Sequence, residues 1–434
     1  MISISIERDG QPGELAAVAR SAEPLIKNSV MRIALVECYL KPTPDYGILA
    51  SLFRQRGHVV WLGTTDANND LTWHDGEKMI ARQPRRLRLP GRLARLRRLP
   101  FFKRFEDLWF IIQMRRFLRR NQVEVVQINP ATLNWIGLLP LLMPMVFILD
   151  WRQIAQREAS GPGAGLKNWW AARKRFFYST TVYDCATFLH PAGAQKVLGP
   201  EWTRWAKIVP LGIDPSFLHL KGEDVRQPDE AGKVTFLYIG TLSRVRRLER
   251  LLFAAQEMLA YTSAFRIDFI GPETAQGYYQ QLAEELGVGD VVAFCPPVPY
   301  TEVPATILQH DVALAYVPEY PLDWQYHPTL KVIEYGALGV PIIASDFAPN
   351  RETVSDGENG LLVANTPSAL AQAMLRFVTD HAFLQQCKQR AQARRRGTPW
   401  VEIAECYEQT VYLPLCRKQG QSNRGAVERP IQQL

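Results

Sequence analysis

Two segments carry side chains in patterns able to bind an anion and a diol. The first, YIGTLSRVRRLERLL at 238–252, predicts a strand ending at Ile239, a turn at Gly240 and a helix starting near Val245. Arg244, Arg246 and Arg247 stand at that start, where the helix dipole opposes cations. An anion held between backbone N–H groups and guanidinium forks would reverse the penalty, with Gly240 and Thr241 approaching it from the turn. The alternative is a solvated basic turn. The second segment, HPTLKVIEYGALGVPIIASD at 327–346, predicts a helix from near Thr329 that runs into a buried strand at 341–344. Lys331 and Glu334 are three residues apart and share a face, as an ordinary surface pair also would. Here the helix is short and apolar, and Gly336 and Gly339 bring it close to the core strand. A carboxylate so placed can accept two vicinal hydroxyls, as of a ribose, with Tyr335 as its neighbour.

Strand ends supply further candidates. Asp150 and Arg152 follow a predicted strand at 145–149 and are expected in the cleft, on the acceptor side. His190 ends another strand, where a catalytic role competes with that of a core histidine. GPGAG at 161–165 has no strand immediately before it and reads better as a loop than as a phosphate cradle. The chain has no D-x-D, H-E-x-x-H, Walker loop or G-x-S-x-G. Its six cysteines form no C-x-x-C pair, so neither a zinc site nor a disulfide framework is signalled.

The elements that must position these residues are short Val- and Ile-rich runs alternating with amphipathic stretches. Strands are expected at 32–36, 58–62, 123–128, 145–149, 186–189 and 206–209. After a polar stretch they resume at 234–239, 266–270, 291–294, 312–316, 341–344 and 360–363. Runs without strict alternation are buried on both faces and form parallel sheets covered by helices. The fold class is therefore α/β, with two Rossmann-like doubly wound domains facing a cleft. The boundaries are an appendage at 1–30, a first domain at 31–219, a linker at 220–233 and a second domain at 234–395. A terminal helix at 396–416, packing back on the first domain, and a disordered tail at 417–434 complete the chain.

On these motifs the chain resembles the retaining glycosyltransferases of family 4, which have the GT-B fold. The stretch 32–36 with RGHVVWLG resembles the family's first strand and G-H-x-V segment, and KIVPLGIDPSF at 207–217 its interdomain segment. YIGTLSRVRR puts Arg246 where the family carries a phosphate-binding Lys or Arg. LKVIEYGALGVPIIASD with ETVSDGENGLLV is similar to the family's longest signature, and Trp400 before a terminal helix also matches. The resemblance implies transfer of a sugar from a nucleoside-diphosphate sugar, without a metal or other cofactor, to a saccharide or lipid-linked acceptor in cell-surface polysaccharide or glycolipid synthesis. Arg246, Lys331, Asp150 and His190 would then be catalytic. Gly240, Thr241, Arg247, Glu334 and Tyr335 would complete the donor site, and Asp150 and Arg152 the acceptor side. The chain departs from the pattern at Tyr326, eight residues before Glu334, where the family often has Glu. A non-catalytic protein of this fold that binds a nucleotide sugar or polyanion is the competing reading.

Charge is concentrated. The net charge is +8, yet 82–120 alone holds thirteen Arg and one Lys against Glu106 and Asp107. Such a segment seeks phosphate. GRLARLRRL at 91–99 sets Leu93, Leu96 and Leu99 among arginines, and Phe101, Phe105, Leu108, Trp109 and Ile112 repeat the pattern. Basic amphipathic helices of this kind lie in membrane interfaces, so an anionic membrane surface is the expected partner. RNA binding is disfavoured because no aromatic–basic platform accompanies the arginines. The 25 uncharged residues at 125–149 are interrupted by Pro130, Pro140 and Pro144 and read as strand–helix–strand rather than a membrane span. No secretory signal opens the chain, and a cytoplasmic protein on the inner membrane face is expected.

Overall fold

The computed structural model describes residues 30–37, 44–66, 70–84, 102–129, 135–152, 163–220, 232–319 and 324–419. The expected appendage, the run at 91–99, most of the linker and the chain beyond 419 lie outside the described residues.

The first sheet contains β1 (Arg32–Glu37), β2 (Val59–Thr65), β5 (Val125–Asn129), β6 (Val146–Trp151), β7 (Cys185–Phe188) and β8 (Ala206–Ile208). These are parallel, in the order β2-β1-β5-β6-β7-β8. Ile33 of β1 pairs with Val60 on one side and Val125 on the other. Every residue of β5, β6 and β7 is buried, as the unbroken apolar runs require of strands covered on both faces.

Sequence reasoning missed a hairpin, β3 (Leu71–Asp75) and β4 (Lys78–Gln83), which adds antiparallel to β2. Its signal was present in Asp75-Gly76, a favoured hairpin turn, with Gly76 at φ 63°. Arg82, taken as the start of the basic run, belongs to β4 and pairs with Asp66 at 2.8 Å and Asp70 at 3.1 Å.

The second sheet is wholly parallel: β9 (Val234–Ile239), β10 (Phe265–Ile270), β11 (Val292–Cys295), β12 (Val312–Ala315), β13 (Ile342–Ser345) and β14 (Gly360–Val363). Its order, β11-β10-β9-β12-β13-β14, reverses direction between β9 and β12. Ligands of such sheets bind outside the strand carboxyl ends at that reversal. The helix after β9 runs from Glu249 to Leu259 and buries Leu251, Leu252, Ala254, Ala255 and Met258 against the sheet. It starts one turn later than expected. Arg244–Arg246 is a 3-10 turn, and Arg247 at φ 51° breaks it from the helix.

The chain then returns to the first domain. Trp400, Ile403, Tyr407, Val411 and Tyr412 join a core with Ile33, Tyr46, Leu49, Phe53 and Ile148. Each large apolar side chain removed from water there contributes about 1.5–3 kcal/mol. Trp400 packs on Gly212, where a Cβ would lie 2.3 Å from the indole. Helix continues through 413–419, into the expected tail.

Candidate functional site

The site is built at the carboxyl end of β9. Gly240 follows the strand at φ 140°, and the space a Cβ would fill holds the Lys331 side chain, with Cε at 2.8 Å and Nζ at 3.1 Å from that position. Lys331 comes from the helix Leu330–Leu338, which Thr329 opens and Gly339 closes at φ 71°. Its Nζ lies 3.8 Å from the centroid of the Tyr238 ring, a contact that stabilises an ammonium. Even so, burial and then the neighbouring Arg246 hold Lys331 well below the ordinary lysine range, with Glu334 opposing them.

Glu334, one turn along the same helix, is 6% exposed. Tyr300 Oη donates to its Oε1 at 3.2 Å. Burial pushes the carboxyl up to about 7, against the pull of that hydrogen bond and of Lys331. Arg246 is half-buried, its guanidinium 4.3 Å from the Trp324 ring centroid. It acts electrostatically on both Lys331 and Tyr238. Thr241 is exposed beside Gly240, and Arg247 acts electrostatically on Tyr316. Gly240, Arg246, Lys331 and Glu334 thus converge.

Three expectations differ from the structure. Tyr335 is fully buried beneath the site, its Oη accepting from the Ile239 backbone N–H at 3.4 Å. It supports the β9 end. Asp150 does not face the cleft. It is 1% exposed and accepts from Tyr46 Oη (2.9 Å), Gln127 Nε2 (2.7 Å), Thr187 Oγ1 (2.8 Å) and Tyr407 Oη (3.2 Å). Arg152 is also buried, paired with Asp45 at 3.0 Å and Asp150 at 3.3 Å, and its guanidinium lies 5.6 Å from the Trp400 ring. The two form an internal network closed by the returning chain, so neither is positioned to touch an acceptor.

His190 caps the helix Pro191–Leu198, its Nδ1 accepting from Ala192 N at 3.0 Å. Its Nε2 lies 2.9 Å from Glu352 Oε1 of the second domain. His190 therefore spans the cleft rather than standing free in it. Behind it, burial and then His190 push His327 down to about 4, keeping it neutral. Tyr326 packs on the first domain, under Lys196 Nζ at 5.0 Å.

Sequence reasoning missed Tyr238, Tyr300 and Trp324, three aromatics around the converging charges. Tyr238 was legible as the aromatic before a strand-end glycine. It also missed Asn129 at the carboxyl end of β5, fully buried, with both amide atoms lacking a hydrogen-bond partner among the described residues. Among the described residues no group of three His, Cys, Asp or Glu could hold a metal, and no helix is long and apolar enough to cross a membrane.

Residues 222–394 match the family model Glycosyl transferases group 1. A D-inositol 3-phosphate glycosyltransferase from Nocardia farcinica is 29% identical over 182 residues, 40% of this chain and 39% of that protein. The chain spans about two fifths of the length of the curated relatives it matches first. Among solved structures, Anabaena Alr3699/HepE in complex with UDP and glucose superposes with a TM-score of 0.57 at 12% identity, covering 88% of this chain and 99% of that one. Sucrose-phosphate synthase from Thermosynechococcus elongatus gives 0.60 at 16% identity, covering 92% and 100%. The chain has the fold of these glycosyltransferase structures, two Rossmann-like domains in the GT-B arrangement.

Proposed function

We propose that this protein is a glycosyltransferase that moves a sugar from a nucleoside-diphosphate sugar to a saccharide or lipid-linked acceptor, with retention at the anomeric carbon. The observation that carries the reading is the half-buried Lys331 amine, seated between the Tyr238 ring and Gly240 with Arg246 and Glu334 beside it. A departing diphosphate concentrates negative charge, and Lys331 and Arg246 are preorganised to meet it. Such fixed charge is commonly the largest catalytic contribution. Glu334 accepts the ribose hydroxyls in place of Tyr300. His190 lines the cleft near the sugar. The reaction needs no metal in this reading. UDP-glucose is the first donor to test, since HepE is described in complex with it.

Attachment to the cytoplasmic face of an anionic membrane through 82–120, in polysaccharide or glycolipid synthesis, belongs to the same reading. It is supported by the helix Phe102–Arg120, which buries Phe110, Ile111, Met114 and Leu118 but leaves Phe105, Leu108 and Ile112 exposed. Nucleic acid has no part in it.

Tyr326 favours one competing reading, a non-catalytic nucleotide-sugar-binding protein, because an aromatic packed on the first domain stands where the resemblance supplies a carboxylate. A panel of labelled UDP-, GDP- and ADP-sugars separates the two. Transfer or hydrolysis that is lost in Lys331→Met supports the transferase. Tight binding with no turnover of any donor supports the binding protein.

A further inference from the structure

The helix Ala164–Phe177 links β6 to β7. A crossover helix in a doubly wound sheet normally packs an apolar stripe on the strands. This one buries none of its fourteen residues. The turn that follows, Tyr178–Val182, covers the sheet instead, burying Tyr178, Ser179 and Val182. The helix is nevertheless not polar. Leu166, Trp169, Trp170, Phe176 and Phe177 are 64, 50, 61, 41 and 46% exposed. At about 100° per residue these five fall within an arc of about 120°.

Its charge is one-sided. Lys167, Arg173, Lys174 and Arg175 occur without any acidic residue. Arg173 lies on the apolar arc, 5.2 Å from the Trp169 ring, and the exposed Lys167 and Lys174 flank the arc on one side. Neighbouring elements continue the pattern. The turn Trp135–Leu142 touches both Tyr178–Val182 and the helix Phe102–Arg120, and it exposes Leu141 and Leu142.

We propose that the helix Ala164–Phe177 is an interfacial membrane helix, a docking element separate from 82–120. Its aromatics would seat at the headgroup–acyl boundary with its cations against lipid phosphates. Charge complementarity selects this occupant. A second copy of the chain would bring the same cations to the contact and no acid from the helix to meet them. The position also fits, because the helix lies against Pro191–Leu198, which touches the turn Trp324–Tyr326 at the cleft. Docking would hold the cleft one helix from the headgroups. That last consequence, unlike the docking, rests on the transferase reading.

The test uses the whole chain and no nucleotide sugar, so its failure is separable from failure of transfer. Co-sedimentation is measured with vesicles of phosphatidylcholine alone and with added phosphatidylglycerol, at low salt. Wild type is expected to bind the anionic vesicles. Trp169→Ser, Trp170→Ser and Phe176→Ser combined should lower binding roughly tenfold or more, with the fold kept and the melting temperature lowered only by the loss of the Phe176–Trp205 contact, because none of the three lies in a core. Trp169→Phe with Trp170→Phe should keep binding but lose most of the fluorescence quenching by brominated lipid. The proposal is overturned if the triple variant binds as wild type does. It is equally overturned if wild type ignores anionic vesicles while dimerising or binding RNA through this helix.

Discussion

Replacing Glu334 by Gln should stabilise the empty protein while weakening nucleotide binding. Gln keeps the shape and can still accept from Tyr300, but it has no charge to desolvate. The carboxyl moves from its ordinary 4.5 to about 7 on folding. At 1.36 kcal/mol per pH unit this difference is worth about 3 kcal/mol once the group ionises. A carboxyl raised on folding contributes stability that is complete below pH 4.5 and lost as pH rises through about 7. Lys331 does not cancel the loss, since it is itself held toward the neutral form. The variant should therefore match wild type near pH 4.5 and exceed it increasingly toward pH 8, by at most about 3 kcal/mol, or several degrees in melting temperature. Loss of a charge-assisted bond to ribose should meanwhile cost about 1.5–3 kcal/mol of UDP affinity, roughly ten- to hundred-fold. Pyrophosphate, which has no ribose, should lose less. Thermal unfolding against pH and calorimetric titration of both ligands check this. A variant less stable than wild type at pH 8, or a pH-independent difference, would mean that Glu334 is already ionised in the empty site.

Three further outcomes follow from the same geometry. Arg246→Ala should cut turnover ten- to hundred-fold or more, as expected for one charge-assisted phosphate contact, with the fold intact because the guanidinium lies on Trp324 rather than in a core. Unchanged donor affinity and rate would remove Arg246 from the site. Gly240→Ala should displace Lys331 and abolish diphosphate binding, since the new methyl would fall 2.8 Å from Lys331 Cε at a φ of 140°; wild-type affinity in a titration would show that Lys331 has another route. Asp150→Ala should lower stability by about 3–5 kcal/mol, because it leaves the buried Arg152 short of a partner. Folded variant should bind UDP normally, and a selective loss of donor affinity would return Asp150 to the site.

The two sheets were legible because their strands are unbroken apolar runs, and the Lys331–Glu334 pair because its spacing and flanking glycines are local. The Asp150 network was not. A residue ending a parallel strand normally points toward the cleft, and nothing near 150 announces that Tyr407 will close over it from 257 residues away. Similarly, the arginines at 244–247 were visible, but the positive φ of Arg247 that delays the helix is a tertiary effect. The apolar arc of Ala164–Phe177 escaped notice because an amphipathic helix between two strands looks in sequence like any crossover. Only burial shows that it seals none of its own residues from solvent.

The returning terminal segment has a consequence for the order of assembly. Tyr407 and Tyr412 donate hydroxyls to Asp150 and Gln127, at the centre of the first sheet. The second sheet, β9 to β14, is in effect inserted into the first domain, the chain leaving that domain beside Ile213 and returning to it beside Trp400. These two crossings are tied by Ile213 N–H to Thr398 O at 2.9 Å and Trp400 N–H to Ile213 O at 3.3 Å. On a ribosome the first domain therefore cannot complete its core before the second sheet has been made. The second domain has its whole sheet once residue 363 has emerged, whereas the first waits for residue 412 to fill its core. Until then Asp150 lacks its Tyr407 partner, and a chain stopped before Trp400 would carry a complete second sheet beside an unfinished first core.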